Sequence, residues 1–300
     1  MVRLSGRRTR RACRVPQGKA FGDDRKLTGG GTFDGTTALY QPLADRLGSA
    51  VRVYGIGPRA EGAFPTLHTR ISDMAAHYVN KIRKAQPRGP YLLGGLGVGG
   101  VLAHEVACRL QSEGEQVAML ALLDSVDAGT RTQRPVSALT RRGALGKVDA
   151  SVAERLRAAT AHLSAKLGRS GMDYVRVRLL RHYTDRGERP PWFLEHIPLE
   201  AVYRFAIADY TPSRFQGRLT LFRATGSGSP DPTDAPAREL CPDPYLGWTS
   251  RSTHGVDVVD VPGGHRGMLL ESNIDPIARR VLLAVEAAVE GPATVSGAPT

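Results

Sequence analysis

The sequence lacks several features that mark particular classes of protein. It has three cysteines, Cys13, Cys108 and Cys241, scattered without metal-ligand spacing, which predicts free thiols in a reducing cytoplasm. It has no apolar run of about 18 residues, so no membrane span is expected. Arg7 and Arg8 form a twin-arginine pair that no apolar region follows, so a secretory signal is not expected and the predicted location is the cytoplasm.

Acidic residues are also scarce. The chain has 29 Asp and Glu against 41 Lys and Arg, a net charge of +12. Residues 1–31 hold nine basic and two acidic residues, and residues 131–190 hold fourteen and five. Nucleic-acid binding is the least favoured explanation, because no interleaved aromatics or known nucleic-acid module accompany this charge. Two interpretations stay open: solvated arginine-rich faces, or an electrostatic landing site for an acidic partner.

A chain of 300 residues with 41% hydrophobic content fits one large α/β domain. Residues 1–28 have almost no apolar periodicity and are predicted to be a disordered basic arm. The domain is expected over residues 29–290, and the small residues 291–300 are predicted to be a disordered tail.

Strands alternate with helices along this domain, which predicts a mostly parallel, doubly wound sheet. The predicted strands, besides the one after Gly89, are Val51–Tyr54, Val117–Leu123, Leu219–Phe222 and Val256–Val261. The predicted helices are Tyr40–Leu47, Ile71–Ile82, the one after Gly97 and Asp275 to about Glu290. Residues from Val126 to about Arg189 break the alternation with two helical patches, Val152–Leu167 and Tyr174–Tyr183.

The stretch Gly89–Ala107 organises the rest of the chain. It is a short apolar run, then a glycine-rich turn, then a helical pattern, which is the layout of the nucleophile elbow G-x-S-x-G. The frame is Gly95-Leu96-Gly97-Val98-Gly99, so Gly97 stands where the serine would be. No Ser, Cys or Thr lies in the turn Gly94–Gly100 to replace it.

The residues around this elbow resemble the thioesterase domains of polyketide and nonribosomal peptide synthases. The segments that carry the likeness are Tyr91–Gly95, Gly99–Ala107 and Leu122–Ser125, and it extends from about Tyr40 to Glu290. The resemblance implies an α/β-hydrolase fold with a helical lid at about residues 126–215. It also implies a Ser-His-Asp triad that releases acyl chains, with a first-strand loop completing the oxyanion hole. The expected partner is an acyl or peptidyl carrier protein that presents a phosphopantetheine-linked acyl thioester, with no cofactor and no metal.

Three positions follow strand ends in the order nucleophile, acid, histidine: Gly97, Asp124 and His265. This order matches α/β-hydrolases, whose ligands lie beyond the carboxyl ends of the strands. His265 is therefore predicted to be the general base and Asp124 the acid that orients it. Asp231 and Asp234, on the loop after the next strand, are alternative acids. The backbone N–H of Val98 is the expected oxyanion donor.

The missing serine divides the functional interpretation. One hypothesis is a protein that binds acyl chains or carrier proteins without covalent catalysis, on a turn that glycine tolerates. The other is an enzyme whose Asp124 and His265 activate water or a substrate proton directly. Five aromatic residues after the lid helices are interpreted as packing rather than as substrate contacts, although the second possibility stays open: Trp192, Phe193, Tyr203, Phe205 and Tyr210.

Overall fold

The computed structural model describes residues 2–6, 37–130, 171–226, 231 and 234–290. The predicted tail at 291–300 and the helical patch Val152–Leu167 lie outside these residues. The chain divides into two units. The first comprises Met1–Gly57, Ser72–Thr130 and Thr211–Thr300, and the second comprises Pro58–Ile71 and Arg131–Tyr210.

The first unit is built on a six-stranded sheet. Its strands are β1 (Val2–Gly6), β2 (Val51–Gly55), β3 (Tyr91–Leu96), β4 (Val117–Leu123), β5 (Leu219–Ala224) and β6 (Val256–Val261). Their spatial order is β2-β1-β3-β4-β5-β6. Each strand from β3 to β6 runs parallel to the next, whereas β1 is antiparallel to both of its neighbours. The prediction of a mostly parallel sheet is therefore confirmed.

Helices of the first unit cover both faces of this sheet. The described helices are α1 (Gln41–Leu47), α2 (Ile71–Ala85), α3 (Val98–Ser112), α4 (residues 171–185), α5 (Leu199–Ala208), α6 (Ala237–Leu240) and α7 (Asp275–Glu290), of which α4 and α5 belong to the second unit. Leu43 of α1 and Ile277 of α7 share one apolar core with Leu92 of β3. The next residue of that strand, Leu93, points to the opposite face and is also fully buried, and α3 packs on β3 and β4. Within the described residues, no helix is both long and apolar enough to cross a membrane.

The expected disordered arm at residues 1–28 is wrong at Val2–Gly6. These residues form β1, in which Arg3 pairs with Tyr54 on one side and with Leu93 on the other. The sequence pattern for this strand is weak, because only Val2 and Leu4 are apolar among its five residues. A long arginine-rich stretch follows it directly. Residues 7–28 lie outside the described part of the chain.

One of the basic side chains of the second unit is buried and hydrogen-bonded within that unit. Arg181 of α4 is only 8% exposed. Its Nη2 donates to the Thr69 carbonyl at 2.8 Å and its Nε to the Thr69 hydroxyl at 3.2 Å, while Nη1 donates to the Asp209 carboxylate at 2.7 Å. A buried guanidinium needs such partners, so Arg181 joins three parts of the unit and is not a surface charge.

The aromatic residues of the second unit divide into two groups. Tyr203 and Phe205 of α5 are buried, and the ring of Tyr174 meets Phe205 edge-on at 5.1 Å between centroids. The packing interpretation is confirmed for these α5 residues. It is wrong for Trp192, whose surface is 65% exposed.

We predict that Arg181→Met destabilises the second unit by about 2–3 kcal/mol, because it leaves the Thr69 carbonyl without its charged donor. Urea unfolding followed by far-ultraviolet circular dichroism measures the change. Arg178→Met, an exposed position on the same helix, is the matched control and should change the free energy of unfolding by no more than about 0.5 kcal/mol. Equal effects of the two substitutions would contradict a structural role for Arg181.

Candidate active site

The turn between β3 and α3 is completed by a single residue, Gly97, at φ 54° and ψ −116°. Glycine adopts this positive φ without the steric penalty that a side chain incurs. The frame glycines also permit close packing, because a Cβ on Gly95 would overlap the carbonyl group of Gly99. The chain thus forms the strand, turn and helix of the predicted elbow, with no side chain at its tip.

Hydrogen bonds hold the backbone of the elbow on both sides of its tip. The N–H of Gly97 donates to the carbonyl of Leu123 at 2.9 Å. The carbonyl of Gly97 accepts the N–H of Gly100 at 3.0 Å and the hydroxyl of Ser125 at 2.7 Å. The position of the elbow is therefore fixed by β4 and by the residues that follow it.

Tyr40 supports the elbow from the other side, a role for which the sequence offers no signal. Its hydroxyl oxygen accepts the N–H of Leu96, the last residue of β3, at 2.9 Å. Burial raises the pKa of Tyr40 to about 12, and the Leu96 hydrogen bond offsets only part of that rise. The phenol is therefore uncharged near neutral pH.

Asp124 directly follows β4 and has a positive φ of 43°. Such a conformation is uncommon for a residue other than glycine and often marks a functional site. Its carboxylate is buried and accepts three hydrogen bonds: from the N–H of Ala224 at 3.1 Å, the N–H of Ala237 at 2.8 Å and Nδ1 of His265 at 2.8 Å.

His265 faces the tip of the elbow. Because its Nδ1 donates to Asp124, Nε2 is the nitrogen left to accept a proton in the neutral ring. A Cβ placed on Gly97 would lie 3.0 Å from Nε2 and 3.0 Å from Cε1 of this ring. The structure thus brings together the three positions, Gly97, Asp124 and His265, that strand order predicts.

The alternative acid Asp234 has a different role from Asp124. Its Oδ1 accepts the N–H groups of Arg266 at 2.5 Å and Gly267 at 2.9 Å, and its carbonyl accepts the N–H of His265 at 2.8 Å. Asp234 therefore fixes the loop that carries the histidine and is not the partner of the ring. Asp231 is exposed.

Ser125, which contacts the elbow, and Cys108, in the second half of α3, carry a hydroxyl and a thiol, the two groups that most often serve as nucleophiles. Ser125 is fully buried, and its hydroxyl donates to the Gly97 carbonyl. Burial, and then the charge of Glu105, raises the pKa of the Cys108 thiol to about 12, so little thiolate exists at neutral pH. Neither side chain is suited to attack an acyl group in this arrangement.

Val98 is the first residue of α3, where backbone N–H groups have no partner within the helix. The positive end of the helix dipole favours negative charge there. The role of its N–H as oxyanion donor stays a prediction. The loop expected to complete the hole falls within residues 7–36, outside the described part of the chain.

The chain matches the family described as "Thioesterase domain" over residues 31–283. It is 37% identical over 91 residues to a dimodular nonribosomal peptide synthase of Bacillus subtilis (strain 168), covering 30% of this chain and 4% of that protein. It is 38% identical over 92 residues to a non-reducing polyketide synthase of Ustilaginoidea virens, again covering 30% of this chain and 4% of the relative. The chain thus aligns with only a small part of each of these relatives.

Solved structures give the same fold. The RedJ thioesterase from the prodiginine pathway of Streptomyces coelicolor has a TM-score of 0.51 at 21% identity, over 84% of this chain and 86% of that one. The four-domain nonribosomal peptide synthetase AB3403 has a TM-score of 0.50 at 20% identity, over 83% of this chain and 18% of that one. At such identities the likeness establishes the fold alone, and it confirms the predicted α/β-hydrolase class.

Behind the elbow, α3 buries an ionisable group, His104, that takes no part in the site. Its ring is fully buried and lies 5.0 Å from the ring of Trp248. Burial lowers the pKa of His104 to about 4, although a hydrogen bond with the backbone of Arg251 raises it in part. The folded protein therefore keeps His104 neutral at a pH where the unfolded chain protonates it.

We predict that stability falls as the pH falls from about 6.5 towards 4, because only the unfolded chain then binds this proton. The slope attributable to His104 is at most about 1.4 kcal/mol per pH unit. His104→Gln should lose this part of the dependence in urea unfolding at about pH 7 and about pH 5, whereas the exposed control His254→Gln should keep it. An unchanged slope in His104→Gln would contradict the assignment.

Proposed function

Since this chain belongs to the thioesterase domain family, we propose that it recognises acyl chains presented as thioesters in polyketide or nonribosomal peptide biosynthesis, without a serine acyl-enzyme. The observation that carries the proposal is the bare tip of the elbow, where Gly97 faces the imidazole of His265. Covalent catalysis requires a nucleophile within reach of that base. Loss of the serine in a well-studied hydrolase costs about 10⁶-fold in kcat.

A second candidate function is slow hydrolysis by general-base catalysis, and the intact pair of Asp124 and His265 favours it. His265 Nε2 would take a proton from water as the water oxygen attacks the thioester carbonyl carbon. The tetrahedral oxyanion would face the N–H of Val98. The C–S bond would then break and the leaving thiolate would take from Nε2 the proton that came from water, giving a carboxylic acid and a thiol. A positioned base contributes about 10²–10⁴-fold.

We predict that Gly97→Ser forms a covalent acyl adduct with a short acyl thioester and hydrolyses it at least about 10²-fold faster than the parent protein. The new side chain would face His265, whose ring must yield by a few tenths of an ångström. Intact-protein mass spectrometry and thiol release measure the two effects. Gly97→Ala is the matched control, since it adds the same Cβ and the same strain without a hydroxyl.

Three results decide between the candidates. An acyl adduct on the unmodified protein would overturn the proposal of non-covalent recognition. Parent turnover that disappears in His265→Ala would favour the general-base candidate over recognition alone. A folded Gly97→Ser protein that neither forms the adduct nor hydrolyses the thioester would contradict the assignment of Gly97 to the nucleophile position.

The proposed partner is an acidic acyl or peptidyl carrier protein. Two observations support it: the chain matches a small part of large peptide and polyketide synthases, and residues 131–190 hold fourteen basic and five acidic residues. Within the described part of the second unit, two arginines are unsuitable for testing a docking surface, because their side chains are hydrogen-bonded within the fold. Arg181 is buried, and Arg176 donates to the carbonyls of Phe193 and Glu195 at 3.2 and 3.1 Å, so reversing either charge would disturb the fold.

Arg178 and Arg189 are better suited to test the partner. Both are exposed, and neither forms an ion pair within the described residues. Lys84 and Arg88 of the first unit are exposed in the same way and provide a control with an identical change of net charge. Deleting the N-terminal arm is unsuitable, because it would remove β1 from the sheet.

We predict micromolar, salt-sensitive binding of an acyl-loaded acidic carrier protein, weakened several-fold by Arg178→Glu with Arg189→Glu. Electrostatic complementarity mainly raises the association rate, and salt screens it over about 10 Å at 0.1 M. Titration calorimetry at low and physiological salt measures the affinity. The paired control Lys84→Glu with Arg88→Glu should bind as the parent does. Equal weakening by both pairs would indicate a net-charge effect without docking on the second unit.

A further inference from the structure

We propose that Ser125 is a positioning residue, which aims the backbone N–H of Val98 into the site by holding the carbonyl of Gly97. The inference rests on the proposed function only in treating that N–H as the oxyanion donor. The geometric part stands on contacts within the first unit.

The first step is the convergence of two donors on one oxygen. The hydroxyl of Ser125 and the N–H of Gly100 donate to the Gly97 carbonyl at 2.7 and 3.0 Å. The peptide unit between Gly97 and Val98 is planar and trans, so its C=O and N–H point in opposite directions. Fixing the carbonyl therefore fixes the direction of the Val98 N–H.

The second step is the conformational freedom of the tip. Because glycine has no side chain, it populates positive and negative φ about equally. Gly97 therefore does not fix its own backbone conformation. The observed φ of 54° and ψ of −116° are therefore held by hydrogen bonds to the backbone of Gly97, and its ψ sets the direction of the carbonyl. Ser125 supplies one such contact from a fully buried position.

The third step is that the protein shapes the surroundings of Ser125. The indole N–H of Trp248, itself fully buried, donates to the Ser125 carbonyl at 2.6 Å. A Cβ on Gly100 would overlap the Ser125 hydroxyl, so this glycine leaves room for it. Ser125 also directly follows Asp124, which means that the same short segment orients the acid and the elbow.

The experiment compares Ser125→Ala with Ser125→Thr, which keeps a hydroxyl, in the full-length protein. We expect the ¹⁵N order parameter of the Val98 amide to be near 0.85 in the parent and in Ser125→Thr, and to fall towards about 0.6 in Ser125→Ala. Val106, in the middle of α3, reports on general loosening and should not change. An unchanged Val98 order parameter in Ser125→Ala, or an equal fall at Val106, would overturn the proposal.

A kinetic measurement tests the link to the oxyanion. In the Gly97→Ser background, Ser125→Ala should lower kcat about 10-fold or more with KM unchanged, because a misdirected donor stabilises the transition state less. A rise in KM with kcat unchanged would contradict the positioning role. If Gly97→Ser itself is inactive, the assignment of Gly97 to the nucleophile position fails, and the order parameters still decide the role of Ser125.

Discussion

A buried carboxylate is stable only when hydrogen bonds replace its lost water, and that constraint governs the site. The Asp124 side chain is fully buried, and its three donors come from the end of β5, the start of α6 and the loop after β6. These segments are 100 to 141 residues away along the chain. The sheet brings strand ends to one edge, and this single group then connects them. Fold stability and histidine orientation consequently depend on the same hydrogen bonds.

The backbone conformation of the nucleophile elbow forms here without the nucleophilic side chain that usually occupies its tip. Close packing between Gly95 and Gly99, together with hydrogen bonds to β4 and Ser125, determines the turn. None of these contacts requires a serine at the tip. The chain therefore keeps an oriented imidazole beside a position without a nucleophile, where recognition and proton transfer remain physically possible.

Much of this arrangement could be predicted because local sequence patterns determine it. β4 and β6 have the predicted bounds, and Asp124 and His265 follow from strand ends and chain order. Other features depend on partners that no local pattern reveals. Arg181 lies in the arginine-rich stretch 131–190, and its hydrogen bond to the carbonyl of Thr69, 112 residues away, makes it internal in a way that no local pattern predicts. The bond from Ser125 to the elbow is equally non-local, and β1 was missed because its partners lie about 50 and 90 residues downstream.

The placement of β1 has a consequence for synthesis on the ribosome. β1 is made before both of the strands that it pairs with, β2 and β3, so its pairing is complete only after residue 96 has been made. Loop closure over such lengths is not costly, since each doubling adds only about 0.6 kcal/mol. The time during which β1 remains unpaired matters more, because unpaired strand edges are templates for association with other chains. Arg7 and Arg8 directly follow β1 in the sequence, and charged residues that flank an apolar strand oppose its association with other chains.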